Sequence, residues 1–348
     1  MRWIDMHCDT LSEIAKQMKT DENTKESLER NHLSVDIERL KKAKASAQFF
    51  ACYVNAAEYG DRADGTRCWD TAYQAVLDMI ALAHEEAGTD GDFLIAGKAA
   101  DIRMREENSR MTDVVAGILT LEEGGVLNGQ LSRLENLYKL GIRLVTLTWN
   151  YVNCIGAPNS RNRNIMEKGL SKFGIEVVEK MNTLGMIVDV SHLSDGGFWD
   201  CIRHSRAPVA ASHSNARSIC AHPRNLSDEM LRALGEKGGV AGLNFYSEFL
   251  RKGRGIQADS QMNAGRRASV EDIADHAVWM IRKAGEDAVA LGTDFDGFEP
   301  ASLPEGIRGV EDIEKVWDAM RKKGITPRQL DKIAYGNVMR VILEVWRC

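Results

Sequence analysis

Eight short apolar runs, rich in β-branched residues, alternate along this chain with segments of helical period, and that alternation limits the fold more than any other feature. The runs are Arg2 to His7, Gln48 to Val54, Val114 to Leu121, Ile142 to Thr148, Met186 to Val190, Ala207 to Ser212, Gly239 to Phe245 and Ala288 to Gly292. Between and after them, helical spacing covers Trp69 to Glu86, Ser171 to Leu184, Ser194 to His204, Ser227 to Glu236, Val270 to Ala284, Val310 to Lys323 and Pro327 to Trp346. Thr326, Pro327 and Gln329 read as a capping box with proline at the first helical position. A parallel neighbour requires a crossover connection, so strands that alternate with helices imply a parallel sheet. Near-continuous apolar strands such as Met186-Ile187-Val188-Asp189-Val190 suit a sheet covered on both faces. About eight such units favour a closed (β/α)8 TIM barrel over an open doubly wound sheet.

Composition narrows the partners. Lys and Arg number 45 against 51 Asp and Glu, a net charge of −6 over 348 residues. Such a chain lacks the basic footprint of a protein that grips nucleic acid or an anionic bilayer. No run reaches the length of a spanning helix, and the start, Met1 to His7, has no signal-peptide core, so the expected location is the cytoplasm. Seven scattered cysteines without a CxxC pair point to reduced thiols. No linker or repeat divides residues 1–348, which read as one barrel domain with C-terminal helices. Two polar stretches, Asn150 to Lys168 and Arg251 to Ala268, are long for connections and are candidate substrate walls.

Chemistry concentrates where the apolar runs end. His7 and Asp9, two apart on an extended chain, project to one side while Cys8 projects to the other. Glu122 and Glu123 end the third run, His192 follows Val190, His213 follows Ser212, and Asp294 and Asp296 follow Gly292. Barrel enzymes carry their active sites at these strand ends. Carboxylates with imidazoles and no required thiolate suit Zn²⁺, Mn²⁺ or similar ions, and two such ions could share one carboxylate.

These residues resemble the renal or membrane dipeptidase family. The likeness rests on Asp5-Met6-His7-Cys8-Asp9-Thr10-Leu11, Glu123-Gly124-Gly125, Leu170 to Gly174, Asp189-Val190-Ser191-His192, Ser205 to Val209 leading to Ser212-His213-Ser214, Arg224-Asn225-Leu226, Gly292 to Gly297, and Gly336-Asn337 before Arg340. The family consists of binuclear zinc peptidases on amidohydrolase-like TIM barrels. The resemblance implies two Zn²⁺, with other divalent ions also suited. It makes His7 and Asp9 ligands of one ion, His192 and His213 ligands of the other, and Glu123 the bridge, with Glu122 as bystander. It further implies Asp294 as proton shuttle and Arg224 against the substrate's C-terminal carboxylate. Family members form homodimers. Their anchored, secreted location does not transfer, because neither signal nor tail is present in this sequence.

One position departs from the family. After Leu144 to Thr148 the mammalian-type pattern has a histidine at the scissile carbonyl, and here Trp149 stands instead. The reading that follows is a dipeptidase acting on unblocked dipeptides, including those with a D-residue second, through a metal-bridging hydroxide. Its alternatives are a related metallohydrolase for N-acyl amino acids, lactams or lactones, and a catalytically silent metal binder. Retention of Asp294 argues against the last, since a silent protein has no use for a proton shuttle.

Overall fold

Each of the eight apolar runs forms a parallel strand in the computed structural model, which describes residues 1–20, 26–60, 68–88, 93–102, 114–251 and 267–346. The strands are β1 Trp3–Cys8, β2 Ala45–Tyr53, β3 Phe93–Ile95, β4 Val115–Glu122, β5 Ile142–Thr146, β6 Ile187–Asp189, β7 Val209–Ala211, β8 Val240–Leu243 and β9 Val289–Leu291. Their order is β2-β1-β9-β8-β7-β6-β5-β4-β3, and a further pairing of β2 with β4, from Ala47 opposite Ala116 to Tyr53 opposite Glu122, closes the barrel. The structure is thus a (β/α)8 barrel. The sequence reading contains no counterpart of β3. This strand takes the edge of β4 at Val115 to Gly117, and β5 takes over that edge from Leu119 onward.

Crossover helices follow the strands, among them Trp69–Ala87, Lys172–Leu184, Asp195–His204, Asp228–Glu236 and Val270–Ala284. Ser171, Ser194 and Ser227 cap three of these, each accepting a hydrogen bond from the backbone three residues on. Two of the longer helices, Thr10–Thr20 and Leu131–Lys139, escape the sequence reading, as do the short Ile37–Lys42, Arg163–Met166 and Ser247–Leu250. Of these, Leu131–Lys139 buries only Leu134 and Leu137 and has no side-chain cap, so its apolar stripe is too short to stand out. The long C-terminal helix expected from Pro327 is interrupted: Pro327–Asp331, a π-turn at Lys332–Gly336, and Asn337–Val345. Its capping box forms as expected. Beyond the π-turn, Asn337 Nδ2 donates to the carbonyls of Glu286 (2.8 Å) and Val289 (2.8 Å). Arg340 donates to the carbonyls of Gly238 and Asp287. These two side chains clamp the last helix to β8 and β9.

An inner apolar cluster of Ile4, Ala47, Ile118, Leu144, Ile187, Ala210, Val240 and Ala290 is completed by Val338, Met339 and Ile342 of that last helix. The amino-terminal half of the barrel is therefore filled with hydrocarbon, and polar side chains gather at the opposite mouth. Four of the non-glycine residues with positive φ stand at that mouth: Glu123 (89°), His192 (65°), Asp294 (61°) and Asp296 (67°). Each costs on the order of 1–2 kcal/mol of backbone strain, and such strain collects at functional sites.

His276, on the helix Val270–Ala284, is buried and fully paired: its Nδ1 accepts from the Ala216 backbone N–H (3.1 Å) and its Nε2 donates to the Leu250 carbonyl (3.0 Å). Burial pushes its pKa down from 6.5 to about 4. Protons therefore bind the unfolded chain first. The contribution is full above about pH 6.5 and declines toward pH 4, by roughly 3 kcal/mol in total. Thermal unfolding midpoints of native protein should fall over this window, and more steeply than those of His276→Gln; equal slopes would remove His276 as the cause.

Candidate active site

The parity of β4 decides which of two adjacent glutamates enters the barrel. Ala116 and Ile118 belong to the inner cluster, whereas Val115, Leu119 and Leu121 pack against the surrounding helices. With a period of two, Thr120 and Glu122 continue the inner face. Glu122, 3% exposed, points accordingly into the mouth: its Oε2 lies 3.3 Å from His7 Nε2, and its Oε1 lies 3.1 Å from His192 Nε2 and 3.8 Å from His213 Nε2. The expected assignment of Glu123 as the shared carboxylate is thereby corrected. Glu123 leaves the strand at φ 89°, and its oxygens are occupied by N–H donors from Gly125 (2.8 Å), Trp149 (3.1 Å) and Asn153 (2.6 Å). Burial raises its pKa to about 7.

The other candidates converge around Glu122. His7 Nε2 is 3.2 Å from Asp9 Oδ2 and 3.6 Å from Asp294 Oδ1. His192 Nε2 and His213 Nε2 are 3.1 Å apart, and the rings of His7 and His213 lie 3.9 Å centre to centre. Two groups able to hold a metal ion result: His7, Glu122 and His213; and His7, Asp9 and Asp294. Gly297 backs the second group, where any Cβ would overlap Asp294 Oδ1 and Asp9 Oδ2. Asp296 is not part of it. Its carboxylate accepts from Thr10 Oγ1 (2.6 Å) and the Ser34 backbone (2.8 Å), tying two loops together.

Second partners fix the imidazoles. Asp189, fully buried, accepts from Ser212 Oγ (2.6 Å) and Thr146 Oγ1 (2.6 Å). With its proton committed there, Ser212 Oγ accepts from His213 Nδ1 (2.7 Å), which leaves His213 Nε2 as a bare lone pair. His192 Nδ1 likewise donates to Asn150 Oδ1 (3.3 Å), so its Nε2 is also a lone pair. On β1, Asp5 accepts from the Thr293 backbone (2.8 Å), Thr293 Oγ1 (2.6 Å) and Gln48 Nε2 (3.0 Å), which ties β1 to β2 and to the segment after β9, whereas His7 Nδ1 is buried and finds no hydrogen-bond partner among the described residues.

The charges are out of balance in a way that bears on what belongs here. Burial opposes ionisation of Glu122, yet the imidazoles of His7 and His192 hold its carboxyl well below the usual range. Burial pushes Asp9 up to about 7 and Asp294 up to about 6, and lowers His192 to about 4 and His213 well below its ordinary value. His7 is driven the other way: Glu122 and Asp9 outweigh burial and raise it. Asp9 Oδ1 is buried and finds no hydrogen-bond partner among the described residues. Three carboxylates and converging nitrogen lone pairs in one hollow have too few protons to share, and bound cations resolve that conflict.

Arg224 stands beside the cluster, 5% exposed, with Nη1 donating to Ser214 Oγ (3.1 Å) and Nη2 to the His213 carbonyl (3.2 Å). Its Nε is buried and without a partner, and among the described residues no carboxylate reaches salt-bridge distance of it. His222, close by in sequence, accepts from the Arg224 backbone N–H (3.2 Å) and packs on Phe249. Trp149 is half-buried, its ring 6.4 Å from that of His192. Of the two long stretches, Asn150 to Lys168 is described and borders the mouth; most of Arg251 to Ala268, residues 252–266, lies outside the described residues.

Comparison with known proteins places this arrangement. A family model described as membrane dipeptidase, peptidase family M19, matches residues 1–347. An uncharacterised dipeptidase of Schizosaccharomyces pombe is 31% identical over 312 residues, 88% of this chain and 71% of that protein. Dipeptidase aclJ of Aspergillus oryzae is 31% identical over 318 residues, 89% of this chain and 70% of that protein. Among solved structures, a metallopeptidase from Rhodobacter sphaeroides, liganded with a phosphinate mimic of the dipeptide L-Ala-D-Ala, superposes with a TM-score of 0.80 at 26% identity, covering 99% of each chain.

Proposed function

Because the chain belongs to the membrane dipeptidase family, a family of metallo-dipeptidases, we propose that its barrel mouth hydrolyses unblocked dipeptides at a binuclear zinc centre. The observation that carries this reading is the placement of Glu122, one oxygen toward His7 and the other toward His192 and His213. His7 and Asp9 would hold one ion, His192 and His213 the other, and Glu122 both. The donor set fits: oxygens and imidazole lone pairs without thiolate, one buried carboxylate oxygen unpartnered, and two Nε2 atoms 3.1 Å apart that share no proton. When bound, such ions polarise a peptide carbonyl and acidify water near neutral pH.

The chain's own residues do the rest. Asp294 Oδ2 is held by Asn244 Nδ2 (2.8 Å), which leaves Oδ1 facing the cluster, 3.6 Å from His7 Nε2. That oxygen takes the proton of the attacking water and returns it to the departing amine, which must be protonated to leave. Arg224 receives the substrate's terminal carboxylate, which supplies the buried guanidinium with the anion it lacks. The solved relative liganded with a mimic of L-Ala-D-Ala supports including dipeptides with a D-residue at the second position.

Protein stripped by a chelator should lose hydrolysis of unblocked dipeptides and regain it with zinc. Metal-replete protein that cleaves nothing in a broad panel, D-residues at the second position included, would overturn the proposal. Trp149, at the position where the family histidine is expected, favours a second reading, hydrolysis of N-acyl amino acids, lactams or lactones. Turnover of those compounds in place of dipeptides would establish it.

A further inference from the structure

Glu123, freed from the metal-ligand role, has another visible task. Its Oε2 holds the Trp149 backbone N–H (3.1 Å), while its Oε1 holds Gly125 N (2.8 Å) and Asn153 Nδ2 (2.6 Å). Asn153 also donates to the Leu147 carbonyl (2.9 Å) and accepts from the backbones of Ile155 (2.8 Å) and Gly156 (3.1 Å). The segment from Leu147 to Gly156 is thereby stitched to the end of β4. It carries Asn150, the partner of His192, and two aromatic rings.

Those rings continue into a wall. Trp149 meets Tyr53, from the end of β2, edge to face at 5.1 Å, and meets Tyr151 at 5.6 Å. Tyr151 is anchored by its hydroxyl to Asn55 Oδ1 (3.2 Å). All three rings are half-buried beside a hollow that is otherwise polar. Their half-burial leaves apolar ring surface open to a ligand in that hollow.

Barrel order shows what faces the wall. Arg224 bonds the carbonyl of His213, just past β7, and β7 lies four strands from β2 along β2-β1-β9-β8-β7. A dipeptide with its carboxylate at Arg224 and its scissile bond at Glu122 directs its amino-terminal residue toward β2 and β5. We propose that Tyr53, Trp149 and Tyr151, set in place by Glu123, form the subsite for the substrate's amino-terminal side chain and select dipeptides that begin with an aromatic or large aliphatic residue. This inference rests on the dipeptidase reading above. Uncharged ring surface rewards apolar side chains, and an acidic one would lose hydration against the rings without gaining a partner there.

The test compares Phe-Gly, Leu-Gly, Ala-Gly and Asp-Gly on the zinc-loaded full chain, by kcat/KM and, independently of turnover, by calorimetric binding. Phe-Gly should exceed Ala-Gly by roughly 10- to 100-fold, with Asp-Gly poorest. Trp149→Ala should lower the Phe-Gly to Ala-Gly ratio about tenfold. Glu123→Gln should lower the same ratio with the zinc content of the native protein, which separates positioning of the wall from loss of metal. A native ratio near one, or a ratio that Trp149→Ala leaves intact, overturns the subsite. If no dipeptide is turned over, the dipeptidase reading falls by itself; the binding ratio then still supports or overturns the subsite.

Discussion

Glu122→Gln should leave no more than one tightly held ion and lower dipeptide turnover by at least about 10³-fold, while Glu123→Gln retains both ions. The side chains are neighbours of the same type, so a merely local perturbation would treat them alike. Geometry separates them. Glu122 offers one oxygen to each half of the ligand cluster, at 3.3 Å from His7 and 3.1 Å from His192. An amide there can present only one acceptor, and its NH₂ must face imidazole lone pairs or a cation on the other side. Glu123, by contrast, accepts three N–H donors and spends its carboxylate on the backbone of a loop. Elemental analysis after dialysis, with thermal unfolding of the metal-free variants as a control for folding, measures the contrast. Equal metal loss in both variants would contradict the assignment.

Asp294→Asn should keep the full metal content and lower kcat by about 10²- to 10⁴-fold with little change in KM. Asparagine preserves the shape and can still pair with Asn244, which holds Asp294 Oδ2 at 2.8 Å. What it removes is a proton acceptor on the oxygen that faces the cluster. Steady-state kinetics of zinc-loaded variant and native protein give the comparison, and turnover within a few-fold of native would take Asp294 out of the proton path.

Periodicity exposed most of the architecture in the sequence because barrel strands are continuous apolar runs and capped helices announce their ends. The capping box at Thr326 forms as expected, and Ser171, Ser194 and Ser227, the first residues of three segments of helical period, cap their helices. Among the elements that stayed hidden, two bury little: β3, three residues long, and the helix Leu131–Lys139. The convergence of His7, Asp9, His192, His213 and Asp294 was legible because barrel topology brings strand ends together wherever they fall in the chain. The choice between Glu122 and Glu123 was legible too, in the parity of Ala116, Ile118 and Thr120. The family likeness, which starts its glutamate motif at Glu123, concealed it. The aromatic wall and the Asp189–Ser212–His213 relay were not legible, since both depend on contacts between residues from different strands and loops.

Anomalous diffraction at the zinc edge, from crystals of the zinc-loaded protein, decides whether the Glu122 carboxylate joins two cations at the barrel mouth. Two peaks are predicted, one beside His7 and Asp9 and one beside His192 and His213, with a Glu122 oxygen on each. A single peak, or peaks ligated by Glu123, would contradict a bridging Glu122.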